Sequence, residues 1–335
     1  MPFADHLVAT WYAPKPTLLA RALWPLSLVF RALVAFRRAL YRVGLLRAHA
    51  LRVPVIVVGN LTVGGAGKTP LALALASALA ERGHHPGIVS RGYGGSNVMP
   101  RAVAPGDDPH VVGDEPLLYA KGTLPVWIGR RRSAAAQALA EAHPNVDVVI
   151  ADDGLQHYAL ARTMEIIVVD AAREVGNGML LPAGPLREPA TRLLEADAVV
   201  RLVSRDDAYP APAGAPSTRM WLETLPWRNL ARTELAPPFD AWLPGTVHAV
   251  AGIAHPERFF ALIRKLGIEA HCHPFPDHHF YSRDDLAFAG ARAILMTEKD
   301  AVKCAAFADD RFWYLPVRAR IDPALVELVL ERLHG

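Results

Sequence analysis

From residue 53 onward, short runs that are apolar at nearly every position alternate with longer Ala/Leu-rich stretches. "VPVIVVGN" at 53–60 is of the first kind: apolar and β-branched, it predicts a strand buried on both faces. "TPLALALASALAERG" at 69–83 predicts a helix closed by Gly83. "HPGIVSRGYGG" then gives a short strand ending in glycines, and "LPVWIG" leads into the helical pattern "RRRSAAAQALAEAH". "VDVVIADDG" and "MEIIVVDAA" are two further buried strands. Strands alternating with helices predict an α/β fold built on a doubly wound parallel sheet, with ligands at the C-terminal ends of the strands.

The pattern breaks at "RDDAYPAPAGAPS", residues 205–217, a Pro/Ala/Gly stretch without periodicity that reads as a linker. "MWLETL" follows as a candidate strand, and 228–246 is loop-rich around Pro237–Pro238. A second, smaller α/β unit opens at "VHAVAGIAHPERFFALIRKLG", continues through "ARAILMTEKDAVKCAAF" and "FWYLPVRARI", and ends in the helix "PALVELVLERLH". The expected division is an N-terminal helical segment at 1–48, a first domain at 49–204, a linker region at 205–246 and a C-terminal domain at 247–335.

The N-terminal pattern differs from both units. "TLLARALWPLSLVFRALVAFRRALYRV", residues 17–43, is apolar with arginines at 21, 31, 37, 38 and 42. Its longest charge-free run, Ala22–Phe30, holds nine residues, against about 20 for a bilayer span. No small-residue cleavage site follows it, which argues against a signal peptide. Two readings stay open on composition: an amphipathic helix in a membrane interface, or a helix packed on the protein's own core.

Composition narrows the classes. The 335 residues are 52% hydrophobic and 21% charged, which fits a folded protein of two domains. A net charge of +3 gives no basis for wholesale nucleic-acid binding. Two cysteines, Cys272 and Cys304, exclude a disulfide framework and point to a reducing compartment.

The chemistry begins at "VIVVGNLTVGGAGKTP", residues 55–70. A phosphate loop works because backbone N–H groups at a helix N-terminus converge on anionic oxygens, and glycine lets the backbone come close. Gly64, Gly65, Ala66, Gly67, Lys68 and Thr69 supply that loop directly after a strand. Lys68 is placed for the β- and γ-phosphates of a nucleotide, and the Thr69 hydroxyl for Mg²⁺. The usual first glycine of the motif is replaced by Thr62, with the Gly64–Gly65 pair left to provide the slack. Such a loop needs an acid on a neighbouring strand to hold the metal, and Asp152 and Asp153 end the "VDVVIADD" run. Glu188 is a further candidate ligand, without a general motif behind it.

A GTPase is disfavoured, because "DDGLQ" is not D-x-x-G and "TEKD" at 297–300 is not [NT]-K-x-D. Asp114 and Glu115 in "VVGDEPLLYAK" read, taken alone, as a solvated turn. "HCHPFPDHH" matches no structural zinc spacing. "MTEKDAVK" reads as a strand end and helix cap, with Lys299 and Asp300 paired on the surface.

Taken in order, "VGNLTVGGAGKTP", "SRGYGG", "VGDEPLL", "DDGLQH", "GNGMLLPAGPLREP", "FPDHHFY" and "MTEKDAVK" resemble the tetraacyldisaccharide 4′-kinases, the lipid A 4′-kinases of Gram-negative bacteria. The resemblance runs from about residue 55 to 303. It implies a P-loop NTPase-type fold and transfer of the ATP γ-phosphate to the 4′-hydroxyl of a tetraacylated glucosamine disaccharide 1-phosphate. The product is lipid IVA, an intermediate of lipopolysaccharide synthesis. In that family the loop begins N-L-[ST], so Thr62 conforms. The family's catalytic pair carries onto Asp114 and His278, with His279 the alternative histidine. Thr69, Asp152, Asp153 and Glu188 fall in its Mg²⁺ region, and Arg187 is placed for phosphate charge.

The lipid acceptor also turns the 17–43 segment toward the first of its readings. It becomes a peripheral, monotopic anchor on the cytoplasmic face of the inner membrane, with no stable protein partner and no nucleic acid implied. The competing reading is a P-loop kinase or synthase with a soluble small-molecule acceptor.

Overall fold

The computed structural model of the chain describes residues 3–205, 217–239 and 242–334. All but the ends of the 205–217 linker therefore lies outside the described residues. Two helices come first: α1 (Phe3–Trp11) and α2 (Leu18–Arg42). A nine-stranded sheet follows, centred on β1 (Val55–Gly59). On one side of β1 lie β5 (Val148–Asp152), β2 (Pro86–Ser90), β4 (Val126–Ile128) and the short β3 (Arg101–Ala102). On the other lie β6 (Met164–Asp170), β7 (Ala198–Leu202) and β8 (Ser217–Thr224), with β14 (Val317–Ile321) at the far edge. All pairings are parallel except those of β3 and β14. β1, β2 and β5 are buried along their whole length, as their unbroken apolar runs require.

The chain winds outward from β1 in both directions, so a crevice opens at the C-terminal end of β1, where ligands bind in such sheets. Register places Asp152, the last residue of β5, beside Val58 of β1. The phosphate loop and the acidic strand end are therefore neighbours by construction. After the loop the chain enters α3 (Lys68–Ala80) through Gly67, whose φ of 92° is left-handed; α4 (Pro109–Val112), α5 (Asp114–Ala120) and α6 (Arg132–Ala142) follow in the same unit. A Cβ on Gly67 would also meet Met220 Cε at 2.7 Å. The left-handed backbone is what calls for glycine there, since the Met220 methyl ends a flexible side chain and can shift.

The second sheet has five strands in the order β11-β10-β12-β13-β9. β10 (Val247–Ala251), β11 (His271–Pro274), β12 (Ala293–Thr297) and β13 (Phe312–Leu315) are parallel, and β9 (Arg228–Asn229) is antiparallel to β13. α7 (Pro256–Lys265) packs on it, and α8 (Glu298–Cys304) starts directly from β12. Residues 317–334 were expected in the second unit, but β14 pairs with β8 in the first sheet. α9 (Pro323–His334) places Leu325 and Val329 in the same core as Leu71 and Leu75 of α3. Those apolar positions are buried only if the chain crosses back.

α2 is capped by Thr17, whose hydroxyl accepts from Ala20 N–H. Its inner stripe packs on the body: Ala20 and Ser27 are buried, Phe30 joins the core under β1, and Tyr41 meets Tyr158. Its outer stripe does not, leaving Leu33 62% and Phe36 64% exposed. A helix packed along one side lies on the protein rather than standing away from it.

Candidate functional site

The loop between β1 and α3 is braced from inside by a residue that the sequence reading passed over. Asn60 is fully buried, and its amide donates to the Thr62 carbonyl (2.9 Å), and to the Thr62 hydroxyl and the Gly64 carbonyl (both 3.3 Å). Its side-chain oxygen accepts from Lys68 Nζ at 3.1 Å and from Arg187. Thr62 is pinned further by a bridge to Leu186. The residue in the place of the motif's first glycine thus anchors the loop to the 185–187 segment. Around Lys68, then, sit Asp153 at 3.5 Å and Arg187, which reaches the same Asp153 oxygen at 3.1 Å. Burial alone would raise the Asp153 carboxyl, but Lys68 and Arg187 hold it well below the usual carboxylate range.

Asp152 is different. It is fully enclosed, and neither side-chain oxygen has a hydrogen-bond partner. Burial, followed by the charge of Glu115, pushes its carboxyl up to about 7. An unpartnered enclosed carboxylate is costly, and a hard divalent cation beside it would remove the cost. Among the described residues no three His, Cys, Asp or Glu side chains form a metal cage. Mg²⁺ does not need one, because it is commonly held by one or two carboxylates with nucleotide phosphates and water. The residues present therefore fit it, with Thr69 at the first turn of α3 as the hydroxyl ligand.

Two further groups surround these acids. Tyr119 is fully buried and faces Asp152 and Thr69 without a hydrogen bond of normal geometry. Arg132, also buried, donates to the Gly129 carbonyl at 2.8 Å but leaves Nε and Nη2 unpartnered. Burial lowers its guanidinium to about 10 against the opposing pull of Asp153 and Asp152. In the sequence Arg132 is one of three arginines opening a helix, which reads as a solvated helix start.

Asp114 opens α5 (Asp114–Ala120), the helix that also carries Tyr119. The α5 N-terminus is set by Gly113, with φ 87°, where a Cβ would meet the Tyr93 carbonyl at 2.5 Å. Asp114 is buried, at 2% exposure, contrary to the solvated turn its local sequence suggests. Both its oxygens lie 3.0 Å from Nδ1 of His278. Lys299 and Lys303 stand 3.9 Å from Oδ2. Burial would raise this carboxyl, but the His278 hydrogen bond and the Lys299 charge outweigh it and hold it below the ordinary value. His279 faces Asp285 instead, at 3.3 Å. His278 and Asp153 are two of the three non-glycine residues with positive φ among the described residues, conformations that cost about 1–3 kcal/mol each and cluster at functional sites.

Lys299 and Asp300 do not pair on the surface. Asp300 is fully buried and bonded to Lys303 at 2.7 Å, while Lys299 reaches Glu115 at 3.2 Å. Burial lowers the Lys299 amine, but Glu115 and Asp114 more than reverse this and raise it above its usual range. The helix cap itself is present, with Thr297 accepting from the Asp300 N–H.

Glu188, the other candidate Mg²⁺ ligand, is not brought to Asp152. Its oxygens accept from Gln156 (3.0 Å), Tyr158 (2.6 Å) and Arg192 (3.0 Å), and it is buried. Arg187 reaches Asn60 and Asp153 beside the loop, whereas the partners of Glu188 lie on the other side of this irregular segment. Glu188→Gln should therefore act on stability. It breaks a buried pair, and because Arg192 keeps Glu165 at 2.5 Å, a loss of about 3 kcal/mol is expected. A lowered urea midpoint with unchanged Mg²⁺ dependence is the result to look for.

A family model described as tetraacyldisaccharide-1-P 4′-kinase matches residues 19–334. A tetraacyldisaccharide 4′-kinase of Methylobacillus flagellatus is 46% identical over 332 residues, 99% of this chain and 96% of its own. One from Alkalilimnicola ehrlichii is 50% identical over 337 residues, covering 99% and 98%. Among solved structures, LpxK from Aquifex aeolicus in complex with ATP superposes with a TM-score of 0.79 at 29% identity. It covers 94% of this chain and all of that one.

Proposed function

The chain belongs to the tetraacyldisaccharide-1-phosphate 4′-kinase family, and on that premise we propose how its own residues carry out the reaction. It is a kinase that moves the γ-phosphate of ATP to the 4′-hydroxyl of a tetraacylated glucosamine disaccharide 1-phosphate, giving lipid IVA. The soluble-acceptor reading is not favoured. One observation carries the residue assignment: Asp114, buried at the start of the helix whose Tyr119 faces Asp152, is paired with the half-buried imidazole of His278.

The loop from Thr62 to Thr69 receives the ATP phosphates through its backbone N–H groups. Lys68 and Arg187, held in reserve on Asn60 and Asp153, supply positive charge to them. Thr69, Asp152 and Asp153 would hold Mg²⁺, which when bound neutralises charge on the β- and γ-oxygens. Asp114 accepts the hydrogen bond of the attacking 4′-hydroxyl, and His278 orients and tunes it. A carboxylate of low proton affinity suits this task, since phosphoryl transfer passes through a loose transition state and asks chiefly for alignment. Two units, one of residues 49–205 with 217–224 and 317–334 and one of residues 228–239 with 242–316, close over ATP and acceptor and exclude water. The decisive test is γ-labelled ATP with the lipid disaccharide, the label being located at the 4′ position. Label elsewhere, or none transferred, refutes the reading.

We further assign α2, within the 1–48 segment, to the cytoplasmic leaflet of the inner membrane as a monotopic anchor. Its exposed stripe and five arginines support this. Leu33→Glu with Phe36→Glu removes apolar burial of about 1.5–3 kcal/mol per residue at positions that touch little of the protein. The membrane-bound fraction should fall roughly a hundredfold in detergent-free fractionation, with the fold intact. An unchanged fraction would count against the anchor.

A further inference from the structure

Beyond Glu188, a cavity of about 340 Å³ lies between α2 and the body of the protein. Arg38, Tyr41 and Arg42 of the helix form one wall, and Tyr158, Arg162 and Arg192 the other. Three guanidiniums, those of Arg38, Arg42 and Arg192, converge on the single carboxylate of Glu195. The Arg42 and Arg192 contacts are 3.1 and 3.4 Å. Arg192 is almost wholly buried, whereas the Glu195 side chain is 38% exposed at the cavity mouth. This is the geometry of an anion site closed by the protein's own side chain.

The charge balance agrees. Four arginines line the cavity, against Glu165 and Glu195 in its wall and Glu188 behind it. Arg37 lies over the Tyr158 ring at 6.0 Å and adds a further positive charge. A phosphate group offers three strong acceptor oxygens to such a set, where a carboxylate offers two. The approach to the cavity is also apolar. Two of the arginines sit on α2, whose outer stripe exposes Leu33 and Phe36, so an anion reaching them from that side arrives with acyl chains beside it. The cavity also borders the chemistry. Tyr158 follows His157, a residue within electrostatic reach of both Asp153 and Arg37.

We propose that this arginine–tyrosine cavity binds a phosphate group carried on a lipid, displacing Glu195 from its three guanidiniums. The acceptor of the kinase reading carries such a group at its 1-position, and for that source the inference rests on that reading. The other source is the headgroup of a surrounding anionic phospholipid.

Arg38→Gln with Arg42→Gln, compared with wild type, separates the sources. Acceptor KM is measured with the disaccharide bearing its 1-phosphate and with the same lipid lacking it. Flotation on phosphatidylcholine vesicles with and without phosphatidylglycerol is measured in parallel. Losing two charge-assisted contacts should raise KM for the 1-phosphate lipid at least roughly tenfold and leave the 1-hydroxyl lipid alone. Glu195→Gln should lower KM for the phosphate-bearing lipid only. Arg42→Gln by itself, at a side chain 62% exposed, repeats the test without disturbing packing. Unchanged KM values with lost preference for phosphatidylglycerol assign the cavity to the phospholipid headgroup. Equal KM changes for both acceptors, or no change in KM or vesicle binding, overturn the proposal. A wild-type protein that fails to phosphorylate the disaccharide refutes the kinase reading alone, since flotation needs no catalysis.

Discussion

Asp114→Asn is expected to lower kcat by about 10²–10⁴-fold, the loss typical of a general base, with little change in the KM for ATP. The amide keeps the size of the carboxylate and can still accept a hydrogen bond from the Glu115 N–H (2.8 Å in the native chain). What it loses is the charge that aligns the sugar hydroxyl and takes up its proton. Neighbouring lysines are not stranded by the change: Lys299 keeps Glu115 and Asp277, and Lys303 keeps Asp300. The variant should therefore fold, and the loss should sit in turnover on the lipid acceptor. Near-normal turnover would remove Asp114 from the chemistry.

His278 gives the same proposal a second readout through pH. Burial is the largest influence on Asp114 and raises its proton affinity, while the His278 hydrogen bond leads the groups that lower it. In the wild type the folded carboxyl titrates below its unfolded value of about 3.9. Its contribution to stability is thus complete above that value and is lost as pH falls toward the lower folded one. His278→Ala removes the leading opposing contact and leaves burial in place, so the Asp114 pKa moves up. The acid limb of kcat/KM should move to higher pH in this variant, whereas a purely structural role for His278 would lower the whole profile without moving it.

β1, β2, β4, β5, β6 and α3 are legible because each is announced locally, by an apolar run or by a glycine that ends a helix, whereas the two-residue β3, the strand β7 and the helix α5 are not read. Nor is the return of β14 and α9. "VRARI" alternates apolar and polar positions as an edge strand of either sheet would, and the pairing with β8 is settled about a hundred residues away. The same division holds in the site. Lys68, Thr69, Asp152 and Asp153 are readable because a phosphate loop and a strand end are local geometries. Asn60 is missed because an asparagine after a strand reads as a turn residue, and only the fold shows its amide spanning the loop. Glu188 is adjacent to the right residue but turned the other way, which no spacing rule along an irregular segment reveals. Lys299 reads as a surface charge because α8 is read without α5, the helix packed against it.

Lys68→Met should lower kcat by at least about 10²–10³-fold, the range for losing one preorganised group that stabilises transition-state charge. Lys68 is held 3.1 Å from Asn60 Oδ1 and 3.5 Å from Asp153. Both contacts are spare in the sense that Arg187 reaches the same two side chains. Removing Lys68 therefore leaves Asp153 paired and the loop braced, and the unfolding midpoint should stay near that of the wild type. The phosphates, by contrast, lose the one ammonium that the α3 N-terminus carries to them. Arginine should not restore activity, because its planar fork is bulkier than the compact ammonium and fits phosphate by a different geometry. The distinguishing measurement is single-turnover transfer at saturating ATP. A defect that persists there lies in the transfer step, while one that disappears would reduce Lys68 to a binding contact and shift the weight of the mechanism to Arg187 and Arg132.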